Sequence, residues 1–547
     1  MFSVQSTRRA PLAVLAGLVL AASLALSGCG SGGAAGGSGP DTAAPAGPPR
    51  PGGTLRFAVS SDQGCLDPQQ VTSNDTIYAA RQLVDSLTDQ DPATGRITPW
   101  LATTWQSNAD ATAYTFTLRT GVTFSDGSPL TAAVVRDNFD KVAQLGARAL
   151  LAKGYLAGYA GATVTSPTQL TVHFSTPNVQ FLQGTSTFTL GLLAPASLAR
   201  SDDERCQGVI GSGPFVLGGY VKNQSITLTK RAGYHWGSPL WAHDGEAYLD
   251  GVEFRVVPES GVRTGSLQSG EVDAIGSIGQ QDEQPLSSAG IQLLARANPG
   301  LPFGISFNEA KPIVSDPAVR KALSLAINRP EVVSAVFTSQ TKPATGVLSS
   351  TTPDYANAAP LLTFDLDQAK ATLDADGWAP GPDGIRAKNG QRLSFGVTFF
   401  ANAATNQPAL ELIQQQVRAA GIELRIVQQP IANLAQVQVS GDFDALWGNT
   451  TRADPDILRT AYWTGGANYY RLTPGPLDQS LTAQAAATDP AERARLVAAA
   501  QQRMLAEYDA VPVVELSTVL GAGPGARGIR FDASSRVTLS DAWKADD

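Results

Sequence analysis

Charged side chains of both signs are concentrated in one short stretch late in the chain. Asp454 and Asp456 lie between Arg452 and Arg459. A carboxylate in a cleft can pair with a cationic ligand group, and an arginine can hold a ligand carboxylate through two parallel hydrogen bonds. These residues are therefore candidates for contact with charged groups of a ligand. A turn before Pro455 would explain Asp454 equally well, and the arginines could instead form structural ion pairs.

Aromatic residues flank this charged stretch on both sides. They are Trp447 before it and Tyr462, Trp463, Tyr469 and Tyr470 after it, around Gly465 and Gly466. Large flat side chains beside flexible glycines are typical of the walls and rim of a ligand cleft. Ordinary core packing is the alternative for each of them.

Catalytic motifs are missing from the sequence. His173, His235 and His243 form no His-Glu-x-x-His zinc helix, and no Gly-x-Ser-x-Gly nucleophile turn is present. Ser339 and Lys342 match a Ser-x-x-Lys pattern without the Lys-Thr-Gly partner of penicillin-recognising enzymes. The sequence also lacks a phosphate-binding Gly-rich Lys motif, so ATP hydrolysis by this chain is not predicted. We predict that the protein is not an enzyme, with a secreted hydrolase as the alternative of another class.

The N-terminus has the layout of a secretory signal. Arg8 and Arg9 precede a mostly apolar run of about 16 residues, which is shorter than a bilayer span. The run ends at Leu26–Cys29, which resembles the bacterial lipobox, where the thiol is acylated before cleavage. We predict a signal peptide over 1–28 and a lipidated Cys29 on the extracytoplasmic face of the cell membrane. An ordinary signal peptide with a chance cysteine is the alternative.

Composition and charge restrict the class of protein that the rest of the chain can form. Residues 29–52 are almost all Gly, Ser, Ala and Pro, which predicts a flexible tether. The remainder is too long for one core and, with 43% hydrophobic and 16% charged residues, the chain is typical of globular domains. Removal of Arg8 and Arg9 leaves 38 of the 40 basic residues against 48 acidic ones, a net charge of −10. Nucleic acid is therefore excluded as a partner.

Two cysteines remain once Cys29 is assigned to lipid. Cys65 and Cys206 lie 141 positions apart and would meet an oxidising compartment, so we predict a disulfide between them. Two separate buried thiols are the alternative. Because the chain has no Cys-x-x-Cys motif and no Cys/His cluster, we predict no metal site and no cofactor.

Hydrophobic periodicity predicts a mixed α/β chain. Strand patterns begin near Thr54, form a hairpin of 114–118 with 122–124 closed by Asp126-Gly127, and recur at 252–256 and 511–516. Helix starts are predicted at Thr131, Asp316-Pro317 and Asp489-Pro490, with a further helix over about 408–420 that leads into a strand over 423–427.

Four segments together resemble the large solute-binding proteins of ATP-driven importers, family 5, which take up dipeptides, oligopeptides and nickel. The segments are 99–105 with 114–127, then Gly211–Phe215, then Phe307-Asn308 with 316–329, and finally Asp442–Trp447 with Ala453–Asp456. They occur in the order of that family and extend over nearly all of the chain after Gly52. The resemblance is specific as a set, although no single segment would suffice.

The resemblance implies a fold and a division of the chain. The fold is α/β and two-lobed, like the periplasmic binding proteins, in the large three-subdomain variant (type II-like, cluster C) with a hinge. Lobe I would comprise 53–98, 191–302 and 510–547, with an extra subdomain over 99–190, and lobe II would comprise 303–509. The chain would cross between the lobes near Gly300 and Val511, so that hinge closure over a ligand can distinguish loaded from empty protein.

The resemblance also implies a ligand site in the cleft. Asp454 is the first choice to pair with the ammonium of a peptide, and Asp456 the second. The family commonly has its acid three residues past the tryptophan, where this chain has Thr450. The remaining predicted ligand contacts are Trp447, Arg452, Tyr469, Tyr470, Asn74 and Asp75. Helix capping would explain Asn74 or Asp75 equally well.

These observations lead to one functional prediction. The chain would be a lipid-anchored extracytoplasmic receptor of an ABC importer, which captures small peptides and delivers them to permease subunits served by a separate ATPase. A nickel or other metal chelate, an opine or a sugar in the same cleft is the alternative, and His235 and His243 would then matter.

Overall fold

The computed structural model describes residues 47–545. The predicted signal peptide, Cys29 and residues 29–46 of the predicted tether lie outside the described residues. Within 47–545, none of the helices combines the length and the apolar character that crossing a bilayer would require.

The first large sheet has seven strands and contains the first strand of the described residues. In sheet order the strands are Gln292–Ala297, Ser517–Ala522, Ala274–Ile275, Thr54–Val59, Gly251–Val256, Ser225–Lys230 and Phe215–Val221. Leu55, Phe57 and Val59 are buried in the strand that the alternation predicted to begin near Thr54. This strand pairs in parallel with Gly251–Val256, and together they form the centre of the first core.

A separate antiparallel sheet occupies the region predicted as an extra subdomain. Its strands, in order, are Ala102–Ser107, Ala113–Leu118, Gln169–Phe174 and Tyr159–Ser166. Helix Ala132–Leu145 contacts this sheet and begins after Thr131 as predicted, where the Thr131 hydroxyl accepts a hydrogen bond from the Val134 amide (3.4 Å).

The predicted hairpin of 114–118 with 122–124 is wrong. Strand Ala113–Leu118 pairs with the two strands on either side of it in the sheet. Residues 122–124 contribute only an isolated bridge between Thr123 and Pro129 around the Asp126-Gly127 turn. The Asp126-Gly127 turn is present as predicted. The strand before it, however, pairs with strands Ala102–Ser107 and Gln169–Phe174 and not with residues 122–124.

The second large sheet has six strands and its own core. In sheet order they are Lys342–Pro343, Ala510–Glu515, Gly300–Phe307, Ala445–Thr451, Ser394–Phe400 and Glu423–Gln429. Helix Asn406–Arg418 ends before Gly421 and leads into Glu423–Gln429, which pairs in parallel with Ser394–Phe400. This is the α/β unit that the helix-Gly-strand order predicted.

The remaining elements surround these three sheets. Short strands pair as Thr88–Gln90 with Ile97–Pro99, Ala379–Pro380 with Arg386–Lys388 and Gln391–Arg392, Ala526–Arg527 with Trp543–Lys544, and Arg530–Phe531 with Val537–Thr538. The other α-helices are Asn74–Ala80, Ala152–Tyr155, Phe181–Gly184, Pro195–Leu198, Asp202–Cys206, Ser260–Gln268, Gln280–Ser288, Pro317–Ala326, Arg329–Val336, Leu366–Ala375, Leu434–Ser440, Ile457–Tyr462, Pro476–Ala486 and Pro490–Glu507. The starts at Pro317 and Pro490 follow the predicted Asp caps.

Two adjacent segments carry the chain between the large sheets. The Asn298 amide donates a hydrogen bond to the Leu516 carbonyl oxygen (2.7 Å), and the Thr518 hydroxyl donates one to the Asn298 side-chain oxygen (2.7 Å). The crossings are therefore bonded to each other, an arrangement suited to a hinge.

The first crossing lies next to Gly300, near its predicted place, whereas the second lies a few residues after the predicted Val511. Strands Gly300–Phe307 and Ala510–Glu515 pair with each other in the six-stranded sheet. The first crossing therefore precedes Gly300, and the second follows Glu515 instead of coinciding with the predicted lobe boundary at 510.

Cys65 and Cys206 form a disulfide, which is the pairing predicted from the sequence. Next to it the Leu66 amide donates to the Cys206 carbonyl oxygen (2.9 Å). The bridge joins the segment after the first strand to helix Asp202–Cys206.

Candidate functional site

A cavity of about 140 Å³ lies where two parallel strands of the six-stranded sheet reach their carboxyl ends. Strands Ser394–Phe400 and Ala445–Thr451 pair in parallel only at Ala445 and Leu446. Ligand sites in α/β sheets characteristically lie beyond the carboxyl ends of such strands. The cavity lining comprises Leu301, Pro302, Phe303, Gly304, Ser306, Val347, Phe400, Asn402, Asn406, Ile431, Leu434, Gln438, Leu446, Trp447, Gly448, Asn449, Thr450, Tyr462, Tyr470, Ala510 and Pro512.

One wall of the cavity is a strand with a free edge. Ala445–Thr451 pairs with Gly300–Phe307 on one side along its length. On its other side, within the described residues, it has a partner only at its first two positions. Among residues 47–545, no strand therefore pairs with this edge from Trp447 to Thr451, which lies next to the cavity.

Two stacked aromatic pairs line the cavity. The Trp447 ring stacks on Phe303 with centroids 5.4 Å apart and planes inclined by 16°, and its indole N–H donates to the Asn406 side-chain oxygen (3.1 Å). Tyr462 stacks on Tyr470 at 5.2 Å and 23°. These pairs hold rigid apolar faces at the cavity wall, since stacking and hydrogen bonding fix the rings.

The Tyr462 hydroxyl shares a hydrogen bond with the Ser306 hydroxyl (2.7 Å). Burial raises the pKa of Tyr462, so this phenol is neutral at ordinary pH. It therefore brings hydrogen-bonding capacity to the cavity without charge.

The cavity lining carries no carboxylate, ammonium, guanidinium or imidazole among the described residues. Its polar side chains are amides and hydroxyls. Those of Gln438, Asn449 and Thr450 make no hydrogen bond to any other described residue, and all three are at least partly exposed. They are therefore available to donate to and accept from a ligand.

Asp454 does not line the cavity, and its carboxylate is bound internally. Arg493 donates to both oxygens, from Nη2 to Oδ1 (2.6 Å) and from Nη1 to Oδ2 (3.0 Å). The side chains are 6% and 14% exposed. Although burial opposes the charged guanidinium, the Asp454 carboxylate raises the pKa of Arg493. The role of Asp454 in ammonium binding stays a prediction, and the contacts seen here are structural ones.

Asp456 is likewise paired, with Arg459. The guanidinium donates from Nε (2.8 Å) and Nη2 (2.7 Å) to the two carboxylate oxygens of a residue that is completely buried. Gln484 donates to the same carboxylate through its side-chain amide. Both acids of the charged stretch therefore have arginine partners within the protein.

Arg452 points towards the extra subdomain. Its Nη1 donates to the side-chain oxygens of Gln180 (3.1 Å) and Thr460 (2.9 Å), and its guanidinium lies 4.7 Å from the ring centroid of Tyr155. The buried guanidinium thus links the segment after strand Ala445–Thr451 to the smaller sheet region, and it is not a lining residue.

The two residues predicted from the first lobe also make internal contacts. Asn74 accepts a hydrogen bond from Arg536. Asp75 accepts hydrogen bonds from the amides of Ser60 (2.9 Å) and Ser61 (3.0 Å) and from the Ser277 hydroxyl (3.2 Å). Neither lines the cavity, and their ligand role stays a prediction.

Of the eight predicted ligand contacts, Trp447 and Tyr470 line the cavity. Tyr469 is half-buried and outside it. The lining residues Phe303, Asn402, Asn406 and Asn449 were not predicted from the sequence. Asn402 and Asn406 could have been recognised from the sequence, because they follow directly after a buried strand of an α/β unit. Residues at the carboxyl ends of parallel strands commonly form ligand sites.

Asp509 is the acid adjacent in sequence to a lining residue, Ala510. Burial, reinforced by the neighbouring Glu309 carboxylate, raises the pKa of Asp509 to about 7. Its side chain is not part of the lining. It therefore does not supply the cavity with a full negative charge at neutral pH.

The histidines and the serine that could suggest a metal site or catalysis do not line the cavity. His235 contacts the Gly233 carbonyl oxygen (2.7 Å) and His243 that of Ser540 (3.2 Å). No cluster of metal-binding side chains is found among residues 47–545. The Ser339 hydroxyl donates to Glu283 (3.0 Å).

Comparison with known proteins agrees with this architecture. Residues 96–470 match the family described as "Bacterial extracellular solute-binding proteins, family 5 Middle". The chain is 27% identical over 411 residues to the nickel-binding periplasmic protein of Escherichia coli (strain K12), which covers 72% of this chain and 74% of that protein. It is 26% identical over 512 residues to the glutathione-binding protein GsiB of the same strain, covering 89% and 93% respectively.

A solved structure has the same fold. The oligopeptide-binding protein AppA from Bacillus subtilis, in complex with a nonapeptide, superposes with a TM-score of 0.72 at 17% identity and covers 91% of this chain and 100% of that one. The predicted two-lobed α/β fold of the periplasmic binding proteins is therefore confirmed.

Proposed function

The chain belongs to the bacterial extracellular solute-binding proteins of family 5, and from this premise we propose that it captures small peptides for an ABC importer. Members of this family bind small molecules or peptides and work with ABC transporter permeases. The proposed ligand position is the cavity beside strand Ala445–Thr451, and the bound peptide would be handed to permease subunits that have a separate ATPase.

The observation that carries this proposal is the unpaired edge from Trp447 to Thr451. An extended peptide can add to such an edge through main-chain hydrogen bonds, while neighbouring pockets accept its side chains. Here the buried, stacked Trp447 and Phe303 rings form part of the cavity wall, and Asn449 and Gln438 contribute amides to the same lining. The edge, the aromatic wall and the amides together support a peptide as the ligand.

We also propose that the receptor is held at the membrane by lipid on Cys29. The signal-like N-terminus and the Leu26–Cys29 sequence support this part. The N-terminal peptide of the mature wild-type protein should carry the mass of a lipid on Cys29, and Cys29→Ser should yield no lipid-bearing peptide. A soluble wild-type protein would contradict the anchor without affecting the proposed ligand.

A ligand screen tests the peptide assignment. Full-length purified protein is heated in the presence of peptides of two to nine residues, nickel–histidine, an opine or a disaccharide. A ligand that binds only the native state raises stability by about 2.7 kcal/mol at a hundredfold excess over its Kd. Stabilisation by peptides alone is the expected result, whereas stabilisation by a chelate, an opine or a sugar alone would overturn the peptide assignment.

A matched pair of variants locates the binding. Gly448 lies in the cavity wall and Gly219 in the seven-stranded sheet, and both are exposed strand glycines with open space at the Cβ position. Gly448→Trp should fill the cavity and abolish peptide binding, while Gly219→Trp should leave it unchanged. Equal binding by both variants would place the site elsewhere.

A further inference from the structure

The cavity offers hydrogen bonds without an opposing charge. The free side-chain groups of Gln438 and Asn449 are amides and that of Thr450 is a hydroxyl, and each can both donate and accept. Such a lining matches a ligand group that also has donors and acceptors, as an amide does. Among the described residues it offers no opposite charge to a ligand ion.

The charged residues near the cavity do not supply a counter-ion for a ligand either. Asp454 and Asp456 have Arg493 and Arg459 as partners, and the Arg452 guanidinium is held by Gln180, Thr460 and the Tyr155 ring. Each of these charged side chains, which follow the cavity-wall strand Ala445–Thr451 in the sequence, therefore already has a partner within the protein. A ligand ion entering the cavity would lose water without gaining a counter-ion, which is costly.

The size of the cavity limits the group that enters. A dry cavity of about 150 Å³ in another protein accommodates benzene, and this cavity has about 140 Å³. A group of about one residue therefore fits, while the rest of a larger ligand remains outside the cavity.

We propose that the ligand group bound in this cavity is uncharged and amide-bearing, such as an acylated peptide end or a glutamine side chain, and not a free ammonium or carboxylate. This inference rests on the proposed function, because it specifies the ligand chemistry of the same cavity. It sets this receptor apart from one that selects peptides by a terminal charge.

The test compares peptides that differ in one charge. In the first set, each peptide has either a free or an acetylated N-terminus. In the second set, Gln, Glu or Lys is placed at each position in turn. Calorimetry measures the binding of every peptide to the full-length protein. At one terminus or position the neutral form should bind at least about tenfold more tightly than the charged form, because the ion has no partner. Equal or tighter binding of charged forms throughout would overturn the inference.

A nearly isosteric variant tests the same point from the protein side. Asn449→Asp adds one negative charge to the lining, and Asn357→Asp adds the same charge at an exposed position outside it. Asn449→Asp should shift the preference at that same position towards a cation, and Asn357→Asp should not. An unchanged preference in Asn449→Asp, with circular dichroism showing a native fold, would contradict the inference.

Failure of the inference is distinguishable from failure of the proposed function. Binding of peptides with a preference for charged forms would overturn the inference and leave the peptide receptor intact. Binding of N-acetylated disaccharides with rejection of all peptides would overturn the peptide assignment and support an uncharged amide as the recognised group. Absence of binding by every probe would overturn both.

Discussion

Asp454 and Arg493 form a two-bond ion pair between the segment after strand Ala445–Thr451 and the long helix Pro490–Glu507, with N–O distances of 2.6 and 3.0 Å. Arg493 thereby binds both oxygens of the carboxylate that was predicted to pair with a ligand ammonium. A ligand role and a structural role of Asp454 therefore lead to opposite predictions for the same substitution.

Asp454→Asn should destabilise the fold and leave peptide affinity unchanged. The substitution keeps the shape of the side chain but leaves the Arg493 charge buried without its partner, which typically costs about 3 to 5 kcal/mol. Urea unfolding measures the loss, and calorimetry measures the affinity of the folded variant. Asp442→Asn, at an exposed position, is the control. A large loss of affinity at unchanged stability would instead assign Asp454 to the ligand.

Gly300 is the position where a side chain would disturb both the crossing and the cavity wall. Its φ is +103°, and a Cβ would lie 2.3 Å from the Thr450 carbonyl oxygen and 2.7 Å from the Arg452 amide nitrogen. Gly300→Ala should therefore lower the free energy of unfolding by about 1 to 3 kcal/mol and weaken peptide binding through Thr450.

Gly270 provides the matched control for this substitution. It also has a positive φ, +73°, but open space at the Cβ position. Gly270→Ala therefore carries the backbone cost without the collision. Equal stability and equal peptide affinity of the two variants would contradict the role given to Gly300.

Asp85 should make stability depend on pH. It accepts hydrogen bonds from the Tyr234 hydroxyl (3.1 Å) and the Trp236 indole (2.9 Å). Burial, only partly offset by these bonds and by nearby arginines, raises the pKa of Asp85 from 3.8 to about 7. Between these two values the folded state retains a proton that the unfolded chain releases, so this contribution to stability is lost as pH rises towards 7 and above.

Asp85→Asn removes this titration. Relative to wild type, the free energy of unfolding of the variant should rise as pH increases from about 4 to about 7 and then level off. Urea titrations at a series of pH values measure the difference, with Asp442→Asn as the control for loss of an exposed carboxylate. Parallel curves for wild type and Asp85→Asn would contradict the buried titration.

The disulfide between Cys65 and Cys206 should contribute substantially to stability. Its cysteines are 141 positions apart, and loss of a native disulfide typically costs about 2 to 5 kcal/mol. The double variant Cys65→Ala/Cys206→Ala should show this loss in urea unfolding, and a reductant should then have no further effect on it. A double variant as stable as oxidised wild type would contradict the contribution of the bridge.

Local signals in the sequence predicted helix starts well. The Thr131, Asp316 and Asp489 side chains each accept a backbone amide within the first turn that they begin. Such caps involve residues only two or three positions apart, so their chemistry is visible in the sequence itself. The first strand and the helix-Gly-strand unit were predictable for the same reason.

The composition of the site was less predictable because it depends on distant pairing. Arg493 lies 39 positions from Asp454, and no local pattern links the two. The cavity lies beside the ends of two strands, ending at Phe400 and Thr451, that pair with each other at only two positions. Trp447 and Tyr470 were found from their residue types, whereas Asn402 and Asn406 become visible only once the strands are known to be parallel neighbours.

Hydrogen exchange at strand Ala445–Thr451 shows whether a peptide pairs with the free edge of this strand. Backbone exchange of the full-length protein is followed by mass spectrometry with and without a saturating peptide. We expect slower exchange in Trp447–Thr451 and Asn402–Asn406, because the peptide pairs with the free edge, and no change in Tyr159–Ser166 of the smaller sheet. Unchanged exchange at Trp447–Thr451, with protection instead around His235 and His243, would contradict peptide capture at this edge.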